Sequence, residues 1–243
     1  MNTKRKNRGI ALAAAAVVWL ALVIGCGAYV SDYYRADETA AAALVGSEAV
    51  EVWQEKGLTV FAPEKAAAGF IFYPGGKVEY TAYAPLMLAL AERDVLCLLV
   101  EMPLNLAVLD VNAAGGLRER FPEVERWYIG GHSLGGSMAA SFAAKQEGFE
   151  GLALLAAYST ADLTNVGLRV ISLYGTEDGV LNREKYESYR VNLPQNTAEV
   201  VIQGGNHAQF GSYGPQEGDG GARISGAEQI SRTVEALAEF FGA

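Results

Sequence analysis

The residue types able to do chemistry are concentrated in one short run, Gly131-His132-Ser133-Leu134-Gly135. This G-x-S-x-G pattern follows an apolar run and precedes an Ala-rich segment, the strand-turn-helix setting in which the motif presents a serine nucleophile. The logic is steric. A strained turn holds the hydroxyl above the sheet, and the flanking glycines, lacking Cβ, let neighbouring backbone come close. A helix beginning at Leu134 aims free N–H groups and a positive dipole end at the same place, which suits a developing oxyanion. The plain alternative is a glycine-rich turn carrying an inert serine. A phosphate-binding loop is disfavoured, because no lysine follows the glycines and no G-x-G-x-x-G pattern is present. Serine becomes nucleophilic near neutrality only with a general base in reach, and the chain holds two histidines, His132 and His207. His132 adjoins the serine, so its ring diverges from the hydroxyl and reads as a packed imidazole.

Elements of a particular order must position these groups. From residue 50, short apolar runs alternate with longer helical periodicity, which signals βαβ units and a mostly parallel sheet. The runs are Val50–Trp53, Leu58–Ala62, Gly69–Tyr73, Val95–Val100, Trp127–Ile129, Leu152–Ala157, Val170–Tyr174 and Val200–Ile202. Several are nearly continuous in apolar residues, as strands buried on both faces should be. The spacing of the first two predicts an antiparallel pair. Helices are expected over Tyr80–Glu92, Asn105–Arg120, Leu134–Gln146, Arg183–Asn192 and Glu228–Phe241. Gly204 to Gly226 reads as a long Gly-rich loop, a type that is usually functional or disordered inside a compact domain. Its Gln209, Phe210 and Tyr213 are expected to shape the mouth of a pocket.

The elbow, together with Phe72-Tyr73-Pro74-Gly75-Gly76-Lys77, Met102-Pro103-Leu104-Asn105-Leu106-Ala107 and Gly205-Asn206-His207-Ala208-Gln209-Phe210-Gly211, resembles the α/β-hydrolase superfamily. More narrowly, these segments resemble its bacterial membrane-anchored branch, α/β-hydrolase family 5. The resemblance implies an α/β-hydrolase fold, a mostly parallel eight-stranded sheet flanked by helices with an N-terminal transmembrane helix. It also implies the chain order Ser, acid, His, and only His207 follows Ser133. The acid should follow a strand between the two, since carboxyl edges of parallel strands line such sites. Asp178 in Gly175-Thr176-Glu177-Asp178-Gly179 fits, with Glu177 and Asp162 as rivals. The oxyanion donors are then the N–H of Leu134 and that of Gly76, with Gly75 as the alternative.

The expected reaction is hydrolysis of an ester or related acyl bond through an acyl-enzyme, on a small-molecule acyl substrate and without metal or cofactor. An acyltransferase or peptidase using the same triad, or a surface-binding domain on a retired hydrolase scaffold, are the other readings. Only 12 residues lie between Ala157 and Val170, which argues against a large lid. Cys97 reads as a small core residue.

Composition sets the compartment. The chain of 243 residues carries a net charge of −9, against a nucleic-acid partner. Four of its 19 basic residues, Lys4, Arg5, Lys6 and Arg8, stand in the first nine positions, leaving 15 against 28 acidic ones. Ile10 to Val30 has no charge over 21 residues, about 30 Å as a helix, the thickness of a bilayer core. A cytoplasmic basic tip (1–9), a transmembrane anchor or lipoprotein-type signal (10–30) and a stalk (31–49) are therefore expected before an extracytoplasmic domain (50–243). Val23-Ile24-Gly25-Cys26 resembles a bacterial lipobox, with Cys26 as the lipidated residue; a cleaved secretory signal fits less well, because its apolar stretch is shorter.

Overall fold

The computed structural model describes residues 3–243, apart from the side chains of residues 3–11, 13 and 14. It divides into a short N-terminal unit ending at Tyr33 and a larger one, Tyr34–Ala243. The first is a single helix, α1 (Thr3–Ser31), which covers the charge-free run. The side chains of the basic tip lie outside the described residues, as do those of the run's first part. The span expected over 10–30 is helical; among the described residues no helix is long and apolar enough to cross a membrane.

The larger unit is built on eight strands: β1 (Val50–Glu55), β2 (Leu58–Pro63), β3 (Ala68–Tyr73), β4 (Val95–Val100), β5 (Trp127–His132), β6 (Gly151–Leu155), β7 (Arg169–Gly175) and β8 (Ala198–Ile202). They form one sheet in the order β1-β2-β4-β3-β5-β6-β7-β8. The first two strands pair antiparallel, β2 is antiparallel to β4, and every other neighbouring pair is parallel. Strands β3, β4, β5 and β6 are buried along their whole length, because they are apolar toward both faces.

Helices α2 (Glu38–Ala43), α3 (Ala84–Ala91), α4 (Leu134–Ala143), α5 (Arg183–Tyr189) and α6 (Gly226–Phe241) complete the unit. Two large apolar cores and a small third cluster at Tyr174, Leu181 and Tyr186 result among the described residues. One gathers Phe70, Phe72, Tyr83, Leu86, Tyr128 and Phe241 under α3 and α6. The other gathers Ile71, Tyr73, Trp127, Ile129, Ala139 and Ala140 under α4. Alternate residues of β3 serve opposite cores, as the two-residue period of a strand requires. The last helix is bounded by local chemistry: Ser225 caps the Glu228 N–H, and Gly242 closes the other end in the left-handed conformation.

Two expectations change. The expected stalk is part of the larger unit from Tyr34 onward: Tyr34 N–H donates to the Lys77 carbonyl at 2.8 Å and its carbonyl accepts from Glu79 N–H at 2.8 Å. The small side chains of Ala40 and Ala43 let α2 pack inward. The helix expected over Asn105–Arg120 is replaced by short 3-10 turns at Pro103–Asn105, Ala107–Leu109 and Arg118–Arg120. Gly116 adopts a positive φ within it, and the buried Tyr73 hydroxyl holds the loop by donating to the Val111 carbonyl and accepting from Ala114 N–H.

Helix α4 lies very close on the sheet. A Cβ on Gly136 would stand 2.6 Å from the Gly131 carbonyl oxygen and 2.6 Å from the Ala157 methyl. Overpacking of that kind typically costs about 1–3 kcal/mol. Gly136→Val is therefore expected to lower stability by about 2–3 kcal/mol in urea melts, and an unchanged midpoint would disprove this account of the crossing.

Candidate active site

Parallel strands bring their carboxyl ends to one edge of the sheet, and each sequence-predicted residue lies in a loop or at a helix start on that edge. Ser133 follows β5, Gly75 and Gly76 follow β3, Asp178 follows β7 and His207 follows β8. Ser133 has φ 52° and ψ −121°, a strained conformation for a residue with a Cβ. Its N–H donates to the Leu155 carbonyl at 2.9 Å, which fixes the corner against β6. The glycines make the corner possible. A Cβ on Gly131 would meet the Tyr73 carbonyl oxygen at 2.5 Å and the Gly135 and Gly136 backbone within 2.8 Å.

Asp178 and His207 are brought together. Nδ1 of His207 lies 3.1 and 3.0 Å from the two carboxylate oxygens of Asp178, and both side chains are 1% exposed. The carboxylate is itself held, since Oδ1 accepts from the Val180 and Leu181 N–H groups at 3.0 and 2.8 Å. The rivals are occupied elsewhere. Glu177 pairs with Arg223 at 3.3 Å. Asp162 accepts from the Thr164 N–H and hydroxyl, which hold its carboxyl below the usual range. The opposite ring nitrogen of His207, Nε2, is buried and makes no hydrogen bond. Ser133 is thus not hydrogen-bonded to it here, although the ring of the adjacent His132 stands 4.4 Å from that of His207. Catalytic hydrogen bonds are often long until substrate is bound.

The loop after β3 separates the two candidate oxyanion donors. Gly75 N–H donates to the Tyr83 hydroxyl at 3.1 Å. Gly76 N–H donates to no described residue, and a Cβ on Gly76 would touch the Leu134 side chain at 3.0 Å. Leu134 is the first residue of α4, where an N–H has no acceptor within the helix. Burial pushes the Tyr83 pKa up, so the hydroxyl keeps its proton. The same hydroxyl, which accepts from Gly75, is hydrogen-bonded to His132 Nδ1 at 2.7 Å. Burial, with the nearby His207 as a lesser cause, drives the His132 pKa well below 6.5.

Sequence reasoning missed three residues. The carboxylate of Asp219 straps the turn of Asp178 to the turn of His207. Its Oδ1 accepts from the N–H groups of Gly179 (3.1 Å), His207 (3.2 Å) and Gly220 (2.9 Å), and its Oδ2 accepts from Ala208 (2.8 Å). Gln229 grips the Asn206 peptide from α6, accepting from its N–H at 2.9 Å and donating to its carbonyl at 2.8 Å. Tyr83 is the third. Only Gln229 left a trace, as an uncharged polar residue on the apolar stripe of α6 beside Ile230, Thr233, Val234 and Leu237. Phe210 and Tyr213, expected at a pocket mouth, are packed in the core. A cavity of about 920 Å³ lies beneath the Gly-rich loop, between Gln209, Gln216, Arg93 and Ile230. None of Ser133, Asp178, His207 or Gly76 lines it.

Comparison with known proteins bears on this arrangement. A family model described as the alpha/beta hydrolase family matches residues 69–231. Among solved structures, a dienelactone hydrolase from Anabaena variabilis is similar, with a TM-score of 0.60, 13% identity, and coverage of 80% of this chain and 98% of that one. A predicted CIB-like hydrolase from Thermoplasma acidophilum is similar with a TM-score of 0.56, 13% identity, and coverage of 78% and 97%. At such identities the likeness is one of fold. No curated protein matches the chain in sequence.

Two outcomes follow from the geometry. Asp219→Ala strips four N–H groups of their acceptor and is expected to cost about 2–3 kcal/mol, read by urea melts; a loss below 0.5 kcal/mol would show that the strap bears no load. His132 binds a proton in the unfolded chain near pH 6.5 but resists it when folded. Stability should therefore be retained above that pH and fall as the pH drops below it, because the unfolded state then holds more protons. His132→Gln should flatten this slope between pH 6.5 and lower values, and equal slopes in both proteins would exclude the assignment.

Proposed function

Because the chain belongs to the alpha/beta hydrolase family, we propose that it is a carboxylesterase-like serine hydrolase acting through Ser133, His207 and Asp178. The observation that carries this reading is the buried Asp178–His207 pair, with its second ring nitrogen unbonded at the edge where strained Ser133 sits. Asp178 fixes the imidazole with the proton on Nδ1, which makes Nε2 the basic nitrogen. Ser133 Oγ attacks the acyl carbon while Nε2 takes its proton. The negative charge on the carbonyl oxygen falls between the N–H groups of Gly76 and Leu134. Collapse breaks the acyl–oxygen bond, and the alcohol leaves with the proton from His207. Water, deprotonated by the same nitrogen, then releases the acid and restores the serine, so one water is consumed for each ester cleaved. Asp178 stabilises the imidazolium without itself taking the proton.

We also read the N-terminal segment as a membrane anchor, with the hydrolase domain outside and the four basic residues inside. Its support is the order of the sequence: a basic tip, 21 uncharged residues, then an acidic body. That order also favours the membrane-anchored branch of the family.

A fluorophosphonate probe tests the hydrolase reading. Wild type should be labelled, Ser133→Ala and His207→Ala should not, and Asp178→Asn should lose about 10³–10⁴-fold in kcat. Labelling of Ser133→Ala equal to that of wild type would sink the assignment.

A further inference from the structure

Beside the candidate oxyanion loop runs a segment whose side chains and backbone both depart from what folding alone favours. Leu104, Val108 and Leu109 are 55%, 53% and 53% exposed, three large aliphatic side chains within six residues. Scattered exposed apolar residues are ordinary, whereas a cluster marks a contact surface. The backbone beneath them is strained as well, since Leu104 and Asn105 have φ 54° and 56° in succession. Strain of this kind persists only where surrounding structure holds it.

The holding bonds tie the segment to the site. Lys77, the residue after Gly76, donates its N–H to the Asn105 carbonyl at 2.8 Å. The Met102 carbonyl accepts from Asn105 N–H, and that of Pro103 from Leu106 N–H, each at 3.0 Å. The turn Ala107–Leu109 packs against α4, the helix that begins one residue after Ser133. The apolar cluster is therefore joined to the candidate oxyanion loop on one side and to the nucleophile's helix on the other. A substrate whose carbonyl sits between Gly76 and Leu134 has this surface as its neighbour.

We propose that Leu104, Val108 and Leu109 form the platform for an aliphatic chain of the substrate, so that the preferred substrates are esters bearing an extended alkyl chain rather than small polar ones. The proposal rests on the hydrolase reading above. Each chain methylene laid on the platform leaves water, and this gain does not depend on the chemistry at the carbonyl. The platform acts on selectivity through binding and takes no part in proton transfer.

The test compares p-nitrophenyl acetate with p-nitrophenyl octanoate, both kept monomeric, on the full chain. In wild type the octanoate-to-acetate ratio of kcat/KM should be about tenfold or more. In the variant Leu104→Ser/Val108→Thr/Leu109→Ser it should fall to about threefold or less, with the loss mainly in KM, as for binding felt equally by substrate and transition state. Leu104→Lys alone should move the ratio the same way. Val191→Ser removes an exposed valine of the α5 region, 76% exposed, and should leave the ratio unchanged. A wild type without chain-length preference, or a triple variant that keeps the preference, would overturn the platform while leaving the hydrolase intact. Absence of Ser133-dependent hydrolysis of both esters would overturn the hydrolase reading and the platform with it.

Discussion

The constraint on which the rest of the structure depends is the close crossing of α4 over the ends of β3 and β5. Helix and strands meet with backbone against backbone, because Gly131, Gly135 and Gly136 offer no Cβ at the contact. A Cβ on Gly135 would collide with the carbonyl oxygens of Tyr73 and Pro74, so any side chain there forces apart α4 and the loop after β3. This contact decides where the site's donors go. It keeps Gly76 against Leu134 and compresses the strand-to-helix turn into the conformation seen at Ser133.

Around that corner two carboxylates have separate tasks. Asp178 addresses the imidazole of His207 and is fixed by the peptide N–H groups of its own turn. Asp219 addresses peptide groups alone and spans the two loops that bear Asp178 and His207. Because each anion accepts several N–H groups, its desolvation is compensated without a cationic side chain. The pair of histidines follows the same division. Each keeps its Nε2 unbonded, but His207 bonds through Nδ1 to Asp178, whereas His132 is held neutral by burial and is bonded through Tyr83 to the loop after β3.

What was legible in the sequence was whatever depends on local pattern. Buried strands announce themselves as apolar runs, and all eight expected runs lie within or overlap observed strands, including the antiparallel opening pair. The elbow was legible because its glycines, serine and helix are contiguous. Asp219 was not, since an Asp between glycines reads as a turn residue, and its role exists only once two loops more than 25 residues apart in sequence converge on it. The segment Asn105–Arg120 misled for a related reason. Its apolar residues repeat with helical spacing, yet a long-range bond from the Tyr73 hydroxyl and the backbone needs of Gly116 hold it as separate turns.

The distribution of strain shows how the fold divides stability from chemistry. Six non-glycine residues have positive φ among the described residues, and five of them (Lys77, Leu104, Asn105, Ser133 and Ala156) lie beyond the carboxyl ends of β3, β4, β5 and β6. The strands themselves are buried and regular. Such strain survives only on a scaffold that cannot relax around it, and here the scaffold is a sheet packed on both faces. The same edge carries the exposed leucines and valine of the β4 loop. That loop is joined to the one after β3 by the Lys77–Asn105 hydrogen bond, so the exposed side chains and the strained backbone on both sides of that bond belong to one connected loop pair.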